Sequence, residues 1–460
     1  MSNNSDYLKE LALSTSIHAI PSIVRSPRLS IKIFWIIFFI IASGFCSFFI
    51  FQSIEQYLNF EVTTRVRYIY EKPMIFPMIT ICNKNPLTTK YSEEIVEKVM
   101  KENNLTNFTN TEILERNHFF LRQFMTTLRV FSLSDNEKQK LGHSIKSMLV
   151  LCRFGSVACS ESDFEWYFDF LFGNCYRFNS RIATLKEIES SNIEDGLQLI
   201  LFLPNLNHER SLTSYHGLHL KINEHSYIST NDGVDLQTGT ESTILVSKTK
   251  IKQIPQPYSN CTLDLNDKSR IFPFYETFKS LNKTYRQRDC INFCFQELLI
   301  RNCKCYFPSY YSFSYEIPCN STSRFQCQSS NFKNKTNDLT YKECYMNCPL
   351  ECETIDYALS ISSSSAPTKS AYEYWLKNMP QVLDYSKNSS YEMMKDNFIS
   401  IFINYKDLKY MSIEEIENFN YIDLISTIGN YLFLVKLNND LLELQIKILY
   451  KRWYNRTLFG

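Results

Sequence analysis

Hydrophobicity along the chain changes period several times, and each change predicts a different kind of element. Across residues 33–51 every position is apolar or small and none is charged. At about 1.5 Å per residue a helix of this length approaches the roughly 30 Å hydrocarbon core of a bilayer, so the run predicts a membrane-spanning helix. Its 13 Ile and Phe side chains contribute roughly 4–8 kcal/mol to insertion, with no charge opposing them. Residues 90–149 are different: acidic and basic side chains surround Ile95, Val99, Phe119, Phe124, Leu128 and Ile145, which predicts a polar helical lobe.

From Asn174 the period falls to two. Leu197, Leu199, Leu201 and Leu203 share one face of a strand; Leu218, Leu220 and Ile222 share a face of another, which turns His219 towards the sheet surface. Two more extended runs, 242–254 and 397–405, complete a mostly antiparallel core sheet assembled from distant segments. The serine-rich stretch 355–370 and residues 381–396 read as connecting loops.

The last hydrophobic stretch, 424–450, opens apolar and then carries Lys436, Asp440, Glu443 and Lys447. Each central charge costs roughly 2.5–3.5 kcal/mol in lipid, against about 0.3–0.6 returned by each Leu, Ile, Phe or Val. The charges step by four, three and four, so they fall on one helical face beside Leu437, Leu441, Leu444 and Ile448. Such a helix spans a membrane when its charged face meets a bundle interior or a water-filled path, and otherwise lies on the surface; the segment alone supports both.

Charge and cysteine content narrow the class. Lys9, Arg25, Arg28 and Lys32 precede the first apolar run and Glu55 and Glu61 follow it, which places the N-terminus in the cytoplasm. The 19-residue run exceeds a usual signal-peptide core, so a retained anchor is expected. With 49 basic and 48 acidic side chains there is no net field to recruit nucleic acid. Of 15 cysteines, Cys46 lies in the apolar run and the other 14 follow it, the even number expected of a complete disulfide set in an oxidising compartment. Zinc competes for Cys303 and Cys305 and for Cys344, Cys348 and Cys352, but zinc ribbons favour CxxC spacing. The same region carries glycosylation acceptors at Asn104, Asn107, Asn260, Asn282, Asn320, Asn334 and Asn388.

The seven histidines contain no HExxH pair, and neither GxSxG nor a glycine-rich phosphate loop occurs, so neither an enzyme nor a cofactor is expected. Glu276 and Asp289 are candidate proton-binding carboxylates. Cys290 and Cys294 are four apart in a helical pattern, and Cys344, Cys348 and Cys352 repeat that step. Two such segments running antiparallel form nested rungs, Cys294 with Cys344 and Cys290 with Cys348, leaving Cys303, Cys305, Cys319 and Cys327 to pair among themselves.

These residues carry a resemblance. In order along the chain come Phe76-Pro77-x-x-Thr80-Ile81-Cys82-Asn83; Gly173-Asn174-Cys175-Tyr176-x-Phe178-Asn179; Gly196-Leu197-x-Leu199; Gly217-Leu218-x-Leu220-x-Ile222; Pro257-Tyr258-x-x-Cys261; Cys290-x-x-x-Cys294 with Cys303-x-Cys305; and Cys352 with Tyr357. The sequence resembles the degenerin, epithelial sodium channel and acid-sensing ion channel family along nearly its whole length. The resemblance implies a membrane α+β fold: two transmembrane helices flanking a large disulfide-rich extracellular domain, with an antiparallel palm sheet and a helical finger and thumb. It places the cytoplasmic N-terminus at 1–32, the first helix at 33–53, the extracellular domain at 54–421, an atypical second helix at 422–450 and a short cytoplasmic tail at 451–460. Within the domain the finger falls at about 84–172, palm and β-ball strands at about 62–83, 173–260 and 397–410, and the thumb at about 271–352. By similarity the disulfides are Cys82–Cys175, Cys152–Cys159, Cys261–Cys352, Cys290–Cys348, Cys294–Cys344, Cys303–Cys327 and Cys305–Cys319.

The function implied is that of a subunit of a trimeric, sodium-permeable cation channel in the plasma membrane, gated by a ligand or by protons and sensitive to amiloride. Its partners are sodium ions, the lipid bilayer and related subunits in a homo- or heterotrimer. Two departures qualify the transfer. The family's cytoplasmic His-Gly gating pair falls at His18-Ala19, where a methyl group removes access to positive φ. The family's Gly-x-Ser filter tract falls at Val435, Lys436 and Leu437; Asn438, Asn439 and Asp440 supply nearby oxygen atoms and Glu443 follows one turn on. Three copies of Lys436 facing a lumen repel cations unless Asp440 screens them. A poorly conducting regulatory subunit and a single-span receptor ectodomain are therefore the alternatives.

Overall fold

The structure, a computed structural model, describes residues 10, 12–14, 19–102, 125–203, 216–226, 232–262, 278, 283–307, 317–319, 327, 339–378 and 390–433. The chain divides into two compact units: residues 1–64, 257–259 and 415–460 form one, and residues 65–256 and 260–414 the other.

The first unit holds α1 (Ala19–Arg25) and α2 (Leu29–Leu58). The apolar run predicted as a spanning helix lies wholly inside α2, which extends four residues before it and seven beyond it. Its 30 residues reach about 45 Å at the standard helical rise, more than a hydrocarbon core requires. A second helix begins at residue 421 and is described as far as residue 433.

The larger unit is built on two sheets. Its strands are β1 (Val62–Tyr70, of which residues 65–70 belong here), β2 (Met74–Ile75), β3 (Met78–Asn83), β4 (Leu149–Phe154), β5 (Val157–Ala158), β6 (Phe164–Asp169), β7 (Gly173–Phe178), β8 (Glu187–Ile188), β9 (Leu197–Phe202), β10 (Leu218–Asn223), β11 (Val234–Leu236), β12 (Thr240–Lys252), β13 (Cys261–Thr262), β14 (Leu350–Glu351), β15 (Glu353–Ser365), β16 (Phe398–Tyr405) and β17 (Lys409–Glu417, of which residues 409–414 belong here). The larger sheet runs β1-β17-β12-β16-β9-β4-β5 with β15 also on β12; the smaller runs β11-β10-β3-β7-β6. Helices α3 (Lys90–Glu102), α4 (Gln287–Cys303), α5 (Leu339–Asn347), α6 (Lys369–Asn378) and α7 (Tyr391–Asn397) surround these strands in sequence.

The period-two reading of Leu197, Leu199, Leu201 and Leu203 matches their burial, since all four enter the main core with Ile399, Ile401, Ile403 and Tyr405 of β16. The opposite face is buried too: Ile200 and Phe202 pack with Val150, Phe398, Tyr372 and Met394 in a second cluster. Central strands covered on both sides lose the polar alternation of a half-exposed sheet.

Three expectations need correction. The stretch 355–370 is not a loop, because β15 pairs with β12 over 13 antiparallel registers, from Thr240 opposite Ser365 to Lys252 opposite Glu353. A continuous backbone ladder holds the serines without an apolar face to announce them. Residues 391–397 likewise form α7 rather than loop, begun by Ser390, whose hydroxyl accepts from the Met393 amide at 3.2 Å; residues 381–389 lie outside the described residues. His219 is not a surface residue: it is buried, with its ring stacked at 4.0 Å on Phe172. The sheet is mostly antiparallel, but β12 runs parallel to both β16 and β17, pairing its first half with one and its second with the other.

Candidate functional site

The membrane element comes first. Along α2, Ile33, Ile40, Phe45, Phe48 and Phe51 are exposed, a dry surface that suits lipid, while Trp35 and Ser53 are buried. The Ser53 hydroxyl satisfies itself by donating to the Phe49 carbonyl at 2.9 Å. Phe49 stacks on Tyr431 of the second helix, with centroids 5.3 Å apart and planes 19° from parallel. Ala19 is the first residue of α1.

Just beyond α2 lies an aromatic and polar collar. Phe60 has φ +49°, a left-handed turn that ends the helix and sends the chain into β1. That turn sets Phe60 edge-on to Tyr258, 5.4 Å between centroids at 82°, with Tyr57 6.0 Å from Phe60. The Tyr258 hydroxyl bonds to the Glu417 carboxylate, and burial followed by the charge of Glu417 raises its pKa. Next to it, the Asn418 amide donates to the Glu61 carbonyl at 3.0 Å, and Thr63 Oγ1 donates to Asn418 Oδ1 at 3.0 Å. Asn420 Oδ1 accepts the amides of Ile422 and Asp423 at 2.8 and 2.9 Å, while Asp423 accepts the Asn420 amide at 3.2 Å. This reciprocal cap starts the second helix at a defined residue.

Inside the larger unit, the family-motif residues turn out to be packing devices. Gly173 has φ +68°, and a Cβ there would sit 2.7 Å from Pro86 Cβ. Asn179, also left-handed at φ +58°, donates to the Phe76 carbonyl at 2.6 Å and accepts the Lys186 amide at 2.8 Å. Tyr357 donates to Glu224 Oε2 at 3.2 Å, and Tyr405 donates to the Ile75 carbonyl at 2.9 Å. Burial, then the neighbouring Tyr405 and Glu224, pushes the Tyr357 hydroxyl well above its ordinary value. Burial also pushes Glu224 up, but bonding to His225 and Tyr357 outweighs this and holds its carboxyl low. In the smaller sheet, fully buried Lys221 donates to Asp169 Oδ2 at 2.8 Å, and His219 Nδ1 meets Asp235 Oδ1 at 2.7 Å.

The fourteen cysteines after α2 are joined as Cys82–Cys175, Cys152–Cys159, Cys261–Cys352, Cys290–Cys348, Cys294–Cys344, Cys303–Cys327 and Cys305–Cys319; Cys46 is free. Cys82 and Cys175 face each other directly across β3 and β7, and Cys290 and Cys294 of α4 form the two nested rungs with Cys348 and Cys344. Asn260 is exposed ahead of β13, whereas Asn104, Asn107, Asn282, Asn320, Asn334 and Asn388 lie outside the described residues. So do His18, Glu276 and the expected pore positions Val435, Lys436, Leu437, Asn438, Asn439, Asp440 and Glu443. The Phe60–Tyr258 contact escaped sequence reading because its partners are 198 positions apart; the Pro257-Tyr258 motif was the available signal.

With this geometry described, comparison with known proteins decides the family. The profile described as amiloride-sensitive sodium channel matches residues 11–435, which takes in α1, α2 and the whole of the disulfide-rich unit. The chain belongs to the amiloride-sensitive sodium channel family. This is an ion-channel family and not an enzymatic one. Among curated relatives of this family member, epithelial sodium channel subunit beta from Oryctolagus cuniculus is 28% identical over 310 residues, covering 65% of the chain and 46% of the relative. Degenerin-like protein asic-2 from Caenorhabditis elegans is 24% identical over 400 residues, covering 79% and 70% respectively. The chain spans about half the length of the vertebrate relatives it matches. A solved proton-activated chloride channel covers 90% of the chain and 97% of its own, at a TM-score of 0.36 and 6% identity.

Proposed function

We propose that the chain is a plasma-membrane subunit of a trimeric, sodium-permeable cation channel, with both termini cytoplasmic and amiloride as a blocker. The observation that carries this reading is the family match over residues 11–435, which includes α2, the disulfide-rich unit and the start of the second helix. In this reading α2 faces lipid, and the second helix turns its stripe of Lys436, Asp440, Glu443 and Lys447 towards an aqueous axis shared with two other subunits. On the same reading, permeant ions exchange water for oxygen atoms of Asn438, Asn439 and Asp440. The collar transmits the stimulus, a ligand or protons. Movement of Tyr258, which is tethered three residues before the Cys261–Cys352 bond, displaces Phe60 and with it the outer end of α2.

A regulatory, poorly conducting subunit of a heterotrimer is the second reading, favoured by Lys436 in the place of the family's Gly-x-Ser tract. Whole-cell recording separates the two. The channel reading expects an inward sodium current from the chain alone that amiloride blocks and that Lys436→Ser enlarges. Silence of both proteins at the cell surface, with current appearing only beside a related subunit, establishes the regulatory role.

A further inference from the structure

Asp289 occupies the first turn of α4, a position where carboxylates ordinarily cap the helix or face water. Here it is only 3% exposed, and its Oδ2 has no hydrogen-bond partner among the described residues. The turn that carries it is packed into an apolar cluster of Phe278, Tyr285, Cys290, Phe293 and Cys348. Three bonds dock this turn on the segment 348–351: Tyr285 Oη to the Pro349 carbonyl at 2.5 Å, Gln287 Nε2 to the Cys348 carbonyl at 2.9 Å, and the Gln287 amide to Glu351 Oε2 at 2.8 Å.

The charged groups nearby are engaged with other partners. Arg286 pairs with Glu351 of β14 at 3.5 Å and with Asp356 of β15 at 3.4 Å, and Arg288 pairs with Asp232, ahead of β11, at 2.5 Å. Neither arginine is placed as the ion-pair partner of Asp289, and Glu351 and Asp232 both oppose its charge. A deprotonated Asp289 is thus a buried anion without a bonded donor, a costly state that a proton removes.

We propose that Asp289 is a proton-binding site that sets how firmly the first turn of α4 docks on residues 348–351: binding a proton closes the turn, and releasing it loosens the turn. The inference concerns the fold alone and stands or falls independently of ion conduction.

The sign follows from the two states. Burial pushes the docked carboxyl up to about 7, with Arg288 and Arg286 pulling it down and Glu351 and Asp232 pushing it up, while the loosened turn returns it towards 3.8. Docking is therefore strongest at low pH, weakens as pH rises from 3.8, and stops weakening above about 7. Between pH 6 and pH 8 the opening equilibrium rises roughly tenfold.

The test is hydrogen–deuterium exchange by mass spectrometry on the purified full-length chain with disulfides intact, corrected for intrinsic exchange. Peptides covering the first turn of α4 and residues 348–353 are expected to exchange roughly tenfold faster at pH 8 than at pH 6, and to level off above pH 7. Asp289→Asn keeps the shape without the ionisation and is expected to be flat, at the slow level. A flat wild-type profile overturns the proposal. So does an Asp289→Asn protein that keeps the wild-type slope, or a rise shared equally by the core strand β9. The wild-type pH series decides the matter by itself if the variant does not fold.

Discussion

The buried pair between Lys221 and Asp169 offers a test of how the smaller sheet is held. Lys221 is fully buried on β10 and Asp169, 8% exposed, ends β6. Their contact at 2.8 Å is supplemented by Asp169 Oδ1, which accepts the amides of Leu171 and Phe172 at 2.9 and 3.3 Å. Lys221→Met keeps the side-chain stem and removes the cation. The remaining carboxylate has its two amide donors but no counter-charge, and breaking a buried pair in this way costs about 3–5 kcal/mol. The surviving amide bonds argue for the lower end, about 3 kcal/mol, or roughly 6–12 °C at about 2–4 °C per kcal/mol. Adding Asp169→Asn retains an acceptor for both amides and removes the stranded charge, so most of the loss should return. The assay is thermal unfolding of the purified protein with disulfides intact. A single variant that melts within about 1 °C of wild type, or a double variant no better than the single, refutes the reasoning.

Three further outcomes are expected. Phe60→Ala and Tyr258→Ala should be non-additive in the free energy of channel opening measured by current, coupling by about 0.5–1.5 kcal/mol, and strict additivity would remove their contact from gating. Gly196→Ala should place a methyl group against the Ile403 carbonyl oxygen and the Asn404 side chain, costing about 1–3 kcal/mol or more; normal maturation of its glycans and normal surface delivery would contradict this. Asn260→Gln should run one glycan lighter on a gel, while Asn455→Gln should run unchanged because a two-span topology keeps the sequon Asn455-Arg456-Thr457 in the cytoplasm; a sugar on Asn455 would discard that topology.

Elements whose burial is one-sided or total along a long run were legible in the sequence. The core face of β9 and the full apolar length of α2 belong here, as does the equal spacing of Cys290–Cys294 and Cys344–Cys348, which becomes a pair of rungs only between antiparallel helices. Elements held by backbone alone were not. The serine face of β15 has no hydrophobic alternation, and its 13 registers depend on β12, more than 100 residues earlier. Lys221 and His219 gave an alternating pattern that reads as solvent exposure, because Asp169 and Phe172, which cover them, are about 50 residues away. Asp289 was recognisable as a carboxylate, but its isolation was not, since the partners of Arg286 and Arg288 lie on β14, β15 and the approach to β11.

The repeated four-residue step has an overlooked hazard. Because Cys352 continues the spacing of Cys344 and Cys348, sliding α4 by a single helical turn would match Cys294 with Cys348 and Cys290 with Cys352, a bonded but misaligned alternative. The parallel bridge of β13 with β14 sets Cys261 opposite Leu350, and the Cys261–Cys352 bond then withdraws the third thiol from competition. That small two-stranded clasp thus acts as a proofreader for oxidative assembly, and loss of Cys261 should release mispaired isomers as well as one crosslink.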